Sequence, residues 1–382
     1  MLAAALAALT ALIWIALLFG RGFYWLSAVR DDEAQPKPAR WPSVVAVIPA
    51  RNEAAVIGQS VGSLMRQNYP GPLAVIVVDD DSSDGTATAA EAAGEGASRP
   101  LTVLQGDPLP SGWTGKLWAL KQGIAAAQEP APDFLLLTDA DIAHAPDSLS
   151  WLAAKAKRDG TVLTSFMARL RCESLAERSH VPAFIYFFQM LYPFAWVRQP
   201  FARTAAAAGG CVLLDRLALH QAGGIESIRN ALIDDCSLAR RMKGVGPIWL
   251  GLTNRAHSIR PYESFADVRQ MISRSAYAQL NYSPWLLAGT LLGMAVTYLA
   301  APLLAIFADG WPRYLGLAVW AAMVLSFVPT LRFYRLSPIW GIALPGIAML
   351  YALYTFDSAF KHWRRRGGQW KGRVHVNAPS LQ

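Results

Sequence analysis

Two short acidic segments of this sequence, each directly after an apolar run, have the residue types that bind a metal ion and a phosphorylated ligand. Three aspartates at 79–81 follow the run 75–78, and Asp139 and Asp141 follow the run 135–137. Two carboxylates one residue apart can hold Mg²⁺ or Mn²⁺ together with a diphosphate. Such a metal stabilises the charge that develops on a departing phosphate group. Asp139 and Asp141 are therefore predicted metal ligands.

An ordinary polar loop is the alternative for either segment taken alone, because a lone Asp-X-Asp is a weak signal. The presence of two such segments, each at the end of a predicted buried strand, favours a binding site. Lys116 lies between them along the chain and opens a predicted helix. It is a candidate contact to a phosphate or nucleotide, and the alternative for it is a solvated lysine.

Asp234 and Asp235 form a third carboxylate pair. Their neighbours Leu232, Ile233 and Leu238 are apolar, which indicates a partly desolvated pocket. A hydroxyl group that attacks an electrophile needs a base to take its proton, and one of these aspartates could serve. The alternative is N-cap chemistry at the start of the helix that follows. Both interpretations can hold, since the two carboxylates need not share a role.

Alternating strands and helices would position these groups. The predicted strands cover 43–49, 73–78, 101–104 and 134–138, and the predicted helices cover 52–67, 86–93 and 116–128. This alternation predicts an α/β fold with an open, mostly parallel sheet. Ligands of such sheets bind beyond the carboxyl ends of the strands, which is where the acidic segments lie.

Both ends of the chain are unusually apolar for a sequence with 53% hydrophobic and 16% charged residues overall. The first apolar run, 2–19, is long enough to span a bilayer. No basic residue precedes it, so we interpret it as an uncleaved anchor rather than a signal peptide. Arg21, Arg30, Lys37 and Arg40 follow it, and by the positive-inside rule they place the next segment in the cytosol.

Three further apolar segments near the C-terminus, 284–308, 314–331 and 336–356, are candidate membrane crossings. Three crossings from a cytosolic domain would leave the basic tail, 361–382, outside, whereas its charge favours the cytosol. One of the three is therefore expected to be re-entrant or interfacial. The aromatic segment 181–197 lies in the middle of the chain and is either interfacial or a buried core helix.

The net charge of +8 is carried largely by the flanks of these apolar segments. We interpret it as a determinant of topology and a contact to anionic lipids. Nucleic-acid binding is not expected, because no module of basic and aromatic residues is recognisable. Cys172, Cys211 and Cys236 show no metal-ligand spacing and fit unpaired, buried thiols in a reducing compartment.

In this order, the motifs resemble the large family of inverting glycosyltransferases with the nucleotide-binding GT-A fold, which includes cellulose synthases and ceramide glucosyltransferases. The matching stretches are residues 48–53, 77–86, 138–141, 209–211, 222–225 and 234–235. Each stretch alone is weak, but the ordered set is specific. It covers roughly residues 43–282.

The resemblance implies a metal site and a general base. Asp141, with Asp139, would hold Mg²⁺ or Mn²⁺. Asp235, beside Asp234, would take the proton of the acceptor hydroxyl. Both assignments coincide with the candidates that the residue types and spacing already indicate.

The resemblance also implies contacts to a nucleotide-sugar donor. Asp80, with Asp79, would contact the nucleobase, and the segment 209–211 would line the site of the sugar and the acceptor. The implied donor contacts are Pro49, Arg51, Glu53, Asp79, Asp80, Lys116, Asp139, Gly209, Gly210 and Arg274.

One family motif, Gln-X-X-Arg-Trp, is incomplete in this sequence. Arg274 can fill the arginine position, but Met271 and Ser275 stand where relatives have glutamine and tryptophan. Relatives that carry the whole motif include processive polysaccharide synthases. The departure therefore favours transfer of a single sugar to a lipid.

The layout of the whole chain is most similar to that of the bacterial hopanoid-associated glycosyltransferases, through the stretches 273–280 and 370–373. The implied function is the transfer of one sugar, carried by UDP, to a lipid hydroxyl, with a hopanoid as the implied acceptor. The implied location is the bacterial inner membrane, with several crossings and a cytosolic catalytic domain. Alternatives are a ceramide- or carotenoid-type lipid glycosyltransferase, a processive synthase and an inactive nucleotide-binding scaffold.

The expected organisation has five parts. They are an N-terminal anchor (1–22), a linker (23–42), a GT-A catalytic domain (43–282), a C-terminal membrane region (283–360) and a basic cytosolic tail (361–382).

Overall fold

A computed structural model describes residues 1–128 and 130–364, with the backbone of 369–370 and 373–374. The helices are α1 (Leu2–Phe19), α2 (Ala54–Met65), α3 (Thr86–Gly94), α4 (Gly115–Ala126), α5 (Ser148–Asp159), α6 (Leu175–Leu191), α7 (Phe194–Val197), α8 (Arg216–Gln221), α9 (Asp234–Lys243), α10 (Phe265–Ser273), α11 (Pro284–Met294), α12 (Ala300–Phe307), α13 (Trp311–Phe333) and α14 (Leu344–Trp363). The strands are β1 (Val44–Ala50), β2 (Leu73–Asp79), β3 (Leu101–Gln105), β4 (Phe134–Thr138), β5 (Ile142–His144), β6 (Leu163–Arg169), β7 (Cys211–Asp215), β8 (Ile248–Ser258), β9 (Gln369–Trp370) and β10 (Arg373–Val374).

The chain divides into two compact units. The sheet unit contains residues 29–171 and 196–261, and the helical unit contains residues 1–28, 172–195 and 262–364. The sequence had placed 43–282 in one catalytic domain, whereas 172–195 and 262–282 belong to the helical unit. The predicted linker, 23–42, includes a 3₁₀-helix at Tyr24–Leu26 and an isolated bridge from Arg30 to Leu252.

The sheet unit is built on eight strands in the order β3-β2-β1-β4-β7-β6-β8-β5. Its first half is parallel, with β1 between β2 and β4. All seven residues of β1 are buried, as expected for an apolar run in a sheet that is covered on both faces. The elements predicted up to residue 138 agree with the structure to within two residues. The predicted α/β fold with a mostly parallel sheet is confirmed.

The second half of the sheet was not assigned from the sequence. Here β7 runs antiparallel to both β4 and β6, β6 runs parallel to β8, and β5 is antiparallel to β8. Ile142 on β5 pairs with Ser258 on β8. This pairing brings the end of β8 beside the loop that follows β4.

Helix α4 lies very close to the sheet at Gly123. A Cβ atom at this position would lie 2.4 Å from Val47 Cγ1 on β1 and 3.0 Å from Val78 Cγ2 on β2. Glycine is therefore required by the close approach of helix and sheet. The same contact fixes the start of α4, which carries Lys116, relative to the ends of β1 and β2.

The helical unit contains four helical segments that are long and apolar enough to cross a membrane, namely Leu2–Phe19, Pro284–Phe307, Trp311–Phe333 and Pro338–Trp363. All three C-terminal candidates thus form helices. Their lengths do not single out one of them as re-entrant, so that expectation stays a prediction. The basic tail, 361–382, falls almost entirely outside the residues that the structure describes.

A π-helical turn and a proline lie within two of these segments. A π-helical turn, Ala295–Leu299, separates α11 from α12. Trp14 Nε1 donates to Thr297 O at 2.8 Å and Thr10 Oγ1 donates to Val296 O at 3.2 Å, so α1 satisfies carbonyls of this turn. Pro345 lies in the first turn of α14, where its missing N–H costs no helical hydrogen bond.

The aromatic segment at 181–197 forms most of α6. The helix begins with a capping box, in which Ser174 Oγ accepts from Glu177 N and Glu177 Oε2 accepts from Ser174 N. Tyr186 and Phe187 are buried in the core of the helical unit, and Tyr24 OH donates to Tyr186 OH at 3.0 Å. These contacts favour the buried core helix over the interfacial alternative.

Replacing Gly123 with alanine is expected to destabilise the protein by about 1–2 kcal/mol, because the added methyl group overpacks α4 against β1 and β2. The gain in helix propensity, about 1 kcal/mol, offsets only part of this loss. The matched control is Gly58→Ala within α2, where the new methyl would meet only Ala89 O, at 3.6 Å. Thermal unfolding of the full-length protein in detergent compares the two variants. Equal stability would contradict the close contact at Gly123.

Candidate functional site

The carboxyl ends of β1, β2 and β4 lie side by side at one edge of the sheet unit, because the three strands run parallel. Each end carries predicted site residues, at 51–53, 79–81 and 139–141. Asn52 and Asp81 adopt left-handed backbone conformations, with φ of 50° and 57°. Asparagine and aspartate adopt this conformation more readily than other non-glycine residues, so it suits the two tight loops that follow β1 and β2.

Arg51 joins the loop after β1 to the loop after β2. Its Nη1 donates to the backbone oxygens of Asp80 and Asp81, at 3.0 Å for the latter. Asp79 Oδ1 accepts from Ser82 N at 3.1 Å. Asp79 and Asp80 are buried at the base of this loop. The structure thus brings three predicted donor contacts, Arg51, Asp79 and Asp80, together around one loop.

Lys116 joins the loop after β4 to the start of α9. Its Nζ lies 2.9 Å from Asp139 Oδ1 and 3.1 Å from Asp234 Oδ2. Helix α4, which carries Lys116, begins after Thr114, whose Oγ1 accepts from Leu117 N at 3.4 Å. The side chains of Lys116, Asp139 and Asp234 are 20%, 36% and 21% exposed. These ion pairs are therefore partly shielded from solvent.

Asp235 belongs to the same cluster. Its Oδ2 accepts from Gly209 N at 3.1 Å, and its Oδ1 accepts from Cys236 N at 2.7 Å. A Cβ atom at Gly209 would lie 3.1 Å from Lys116 Nζ and 3.6 Å from Asp235 Oδ2. Gly209 therefore lies directly against both side chains of the cluster.

The alternative that Asp234 or Asp235 is the N-cap residue of α9 is wrong, because Ile233 occupies that position and its side chain makes no capping hydrogen bond. Both aspartates lie in the first turn, where their charges interact favourably with the helix dipole. The carboxylate of Asp234 contacts Lys116, and that of Asp235 accepts from Gly209 N and from Cys236 N in the first turn.

Burial and mutual repulsion change the ionisation of this cluster. The pKa of Asp235 is raised to about 6, first by burial and then by the charge of Asp234. Burial also raises the pKa of Asp139, although Lys116 opposes this change. Burial alone would lower the pKa of Lys116, but the nearby carboxylates outweigh it and raise that pKa. Lys116 therefore stays charged, while Asp235 is a stronger base than an ordinary aspartate.

A pocket of about 340 Å³, open solvent included, lies beside this cluster. Pro49 lines it together with Lys116, Asp139, Gly209, Asp234 and Asp235. The remaining lining is mostly apolar and comes from α4, β4, β7, α9 and the 3₁₀-helix Ile225–Ile228. Low polarity around the carboxylates agrees with the raised pKa of Asp235.

Arg260, which the sequence did not single out, forms a second ionic cluster in the sheet unit. Its Nη2 lies 2.6 Å from both carboxylate oxygens of Glu53, and its Nε donates to Asp141 Oδ2 at 2.8 Å. Ile259 N also donates to Asp141 O at 2.9 Å. No strand had been assigned at 248–258, so nothing placed residue 260 beside residue 141. The apolar run 248–252 was the available signal for that strand.

Asp139 and Asp141 fit a metal ion that binds together with a phosphate ligand. Each carboxylate is ion-paired here, Asp139 with Lys116 and Asp141 with Arg260. Among residues 1–128 and 130–364, no three His, Cys, Asp or Glu side chains are arranged to hold a metal. Mg²⁺ commonly takes one or two protein carboxylates and completes its shell with water and substrate phosphates. The pair Asp139 and Asp141 agrees with that requirement.

Two predicted donor contacts, Gly210 and Arg274, are not among the residues that line this pocket. Gly210 O accepts from Thr138 Oγ1 at 2.8 Å, so this glycine contacts the end of β4. Arg274 belongs to the helical unit, as the C-cap residue of α10. Their roles in donor binding stay predictions.

Comparison with known proteins gives a family match that covers most of the sheet unit and the segment 172–195 of the helical unit. Residues 45–223 match the family described as Glycosyl transferase family 2. An N-acetylglucosaminyltransferase of Rhizobium leguminosarum bv. viciae is 33% identical over 129 residues, which are 33% of this chain and 27% of that protein. One of Mesorhizobium japonicum is 33% identical over 124 residues, 31% of this chain and 27% of that protein. The chain thus matches about a quarter of the length of these relatives.

A solved structure resembles nearly the whole chain. The mannosyltransferase PcManGT from Pyrobaculum calidifontis, in complex with GDP-Man and Mn²⁺, has a TM-score of 0.55 and 19% identity, covering 94% of this chain and 99% of that chain. At this identity the likeness concerns the fold. With the family match, it confirms the predicted GT-A fold with apolar helices at both ends of the chain.

Replacing Lys116 with methionine is expected to lower the free energy of unfolding by about 1–3 kcal/mol at pH 8, because partly buried carboxylates lose their cation. The loss should be smaller at pH 5. Without Lys116 the pKa values of Asp139 and Asp235 rise further, and protonation of these carboxyls at low pH removes their repulsion.

The control is Lys121→Met on the same helix. Lys121 pairs with Glu226 at 3.3 Å, and both side chains are more exposed, at 37% and 51%. Its loss should cost about 1 kcal/mol or less at either pH. Thermal unfolding of both variants at the two pH values tests the difference. A Lys116→Met effect that does not change with pH would contradict the proposed charge balance.

Proposed function

We propose that this protein is a glycosyltransferase that moves one sugar, with inversion, from a nucleotide-sugar to the hydroxyl of a lipid. The observation that carries the proposal is the position of Asp235. A carboxylate with a pKa raised to about 6 lies at one pocket with Lys116 and Asp139. A proton acceptor and a site for phosphate charge thus share one pocket.

Asp235 is the proposed general base. Its carboxylate is ionised at neutral pH, and its Oδ2 is oriented by the Gly209 N–H. The acceptor hydroxyl gives its proton to Asp235 as the hydroxyl oxygen attacks the anomeric carbon. The bond from that carbon to the diphosphate breaks, and the nucleoside diphosphate leaves on the opposite face, which inverts the configuration.

Lys116 is the proposed cation on the leaving-group side. It is held by Asp139 and Asp234, so it is positioned before a donor binds and needs no reorganisation during the reaction. Asp139 and Asp141 would hold Mg²⁺ or Mn²⁺, and the metal would neutralise charge on the departing diphosphate. Arg51, Asp79 and Asp80 would hold the nucleoside.

The donor and acceptor are proposed from the family resemblance and from the helices. UDP is the proposed carrier. Two relatives are named N-acetylglucosaminyltransferases, so N-acetylglucosamine is the first sugar to test. Four segments that could span a membrane favour a lipid acceptor, with a hopanoid as the proposed class. The proposed location is the bacterial inner membrane, with the catalytic site on the cytosolic side.

Two alternatives are less well supported. A processive synthase would be expected to carry the full Gln-X-X-Arg-Trp motif, whereas Met271 and Ser275 replace two of its residues. An inactive scaffold would have no need for a base whose pKa is raised beside a phosphate-binding lysine. The lengths of the products released by purified protein distinguish the first alternative, and release of nucleotide from the donor distinguishes the second.

Replacing Asp235 with asparagine should lower kcat by about a hundredfold to ten-thousandfold, because the variant cannot accept the proton. Donor affinity should change little, since the base acts in the transition state. In the wild type, kcat/KM should fall about tenfold per pH unit below about 6, as Asp235 becomes protonated. Turnover and donor affinity measured from pH 5 to 8 test this prediction. Near-normal turnover of Asp235→Asn would refute the assignment.

Asp234→Asn is the matched control. It removes one partner of Lys116 and the charge that raises the pKa of Asp235. Most activity should remain, and the acid limb of the pH profile should move to lower pH because the pKa of Asp235 falls. An inactive Asp234→Asn protein of normal stability would move the base by one residue.

Removal of divalent metal should abolish transfer, and Mg²⁺ or Mn²⁺ should restore it, because Asp139 and Asp141 would hold the metal together with the donor diphosphate. Asp141→Asn should weaken metal-dependent donor binding as well as turnover, since its role begins in the ground state. Assays in excess chelator, before and after metal is added back, test the requirement. Full activity in chelator would refute the metal assignment.

A further inference from the structure

Arg260 lies between two carboxylates from different loops. It bridges Glu53, at the end of the β1 loop, and Asp141, after β4. Glu53, Asp141 and Arg260 have side chains that are 10%, 16% and 28% exposed. A guanidinium group keeps its proton in proteins, so Arg260 places a permanent positive charge on a proposed metal ligand.

The geometry points to Arg260 as an internal counter-cation that keeps Asp141 from binding a divalent metal until a nucleoside diphosphate is present, and that then contacts the diphosphate. The inference rests on the proposed function, because it takes Asp141 as a metal ligand. It adds Arg260 to the proposed donor-binding residues and explains why metal and nucleotide would bind together.

Electrostatics gives the reason for this coupling. With no ligand bound, Lys116 pairs with Asp139 and Asp234, and Arg260 pairs with Glu53 and Asp141. A divalent ion that binds Asp141 would have to compete with the guanidinium already paired with that carboxylate, and the two cations would repel each other at short range in a partly dry environment. A diphosphate brings negative charge of its own. It therefore compensates the metal and gives the arginine an alternative partner.

Arg260 also has the chemistry to contact a diphosphate. Its Nε and Nη2 are engaged with Asp141 and Glu53, whereas within the described part of the chain Nη1 has no hydrogen-bond acceptor. Guanidinium groups bind phosphate oxygens through paired N–H donors. The two carboxylates orient the group without using all of its donors.

The test measures Mn²⁺ binding to purified full-length protein in detergent, from the electron paramagnetic resonance signal of free Mn²⁺, with and without UDP. GDP serves as a second nucleotide. In the wild type, nucleotide should tighten Mn²⁺ binding by about tenfold or more, within the range usual for coupled sites. By linkage, Mn²⁺ should tighten nucleotide binding by the same factor. Wild-type protein that binds neither nucleotide would overturn both this inference and the proposed function.

Arg260→Gln should bind Mn²⁺ about fivefold more tightly than the wild type in the absence of nucleotide. The factor by which UDP increases Mn²⁺ affinity should be smaller than in the wild type, because the variant lacks the positive charge that couples the two ligands. A merely structural arginine would give the opposite result, because local disorder weakens metal binding. Mn²⁺ affinity that is unchanged or weaker without nucleotide, in a variant that unfolds at the wild-type temperature, would overturn the inference while leaving the proposed function intact.

Two further variants complete the design. Glu53→Gln removes one of the two carboxylates that pair with Arg260. Arg260 then interacts more strongly with Asp141, so Mn²⁺ should bind more weakly in the absence of nucleotide. If Arg260→Gln fails to fold, this variant decides, and tighter Mn²⁺ binding would overturn the inference. The matched control is Arg158→Gln at the end of α5, where Arg158 Nε lies 2.7 Å from Asp159 Oδ1 on an exposed surface. It should change neither Mn²⁺ binding nor the coupling, and an equal change in this control would overturn the assignment to Arg260.

Discussion

The ion pairs of Lys116 hold the candidate site together. One amino group contacts both Asp139, which follows the parallel half of the sheet, and Asp234, at the start of α9. Asp235 and Gly209 are placed against the same group. Without this cation, carboxylates from separate parts of the chain would face one another in a partly apolar pocket, which is electrostatically costly. The proposed base and one of the two proposed metal ligands, Asp139, therefore depend on one lysine.

The first half of the sheet unit could be predicted because its signals are local. Continuous apolar runs identified β1, β2 and β4, and parallel strands end at the same edge of a sheet. That rule alone placed residues 79–81 and 139–141 together, whereas residues 51–53 were assigned to the site through the family resemblance. The roles of these residues were indicated by residue type and spacing, and the resemblance to a known family made them specific. Those roles remain proposals.

The rest could not be predicted because it depends on contacts between distant residues. Arg260 reaches Asp141 only because β8 pairs with β5, and neither strand had been assigned. The capping interpretation of Asp234 failed for a similar reason, since a lysine more than a hundred residues earlier takes its carboxylate. Patterns along the chain also gave no indication that the segment 172–195 belongs with the terminal helices.

The helical unit is assembled from three separated stretches of chain, and this has a consequence for biosynthesis. Trp14 on α1 donates to the carbonyl of Thr297, 283 positions later. During translation, α1 is therefore made long before its partners emerge from the ribosome. Contacts between such distant positions form slowly, and incompletely packed chains expose apolar surface. Helix α1 is long and apolar enough to cross a membrane, and a bilayer that accepted it during synthesis would cover its apolar surface until the last third of the protein has been made.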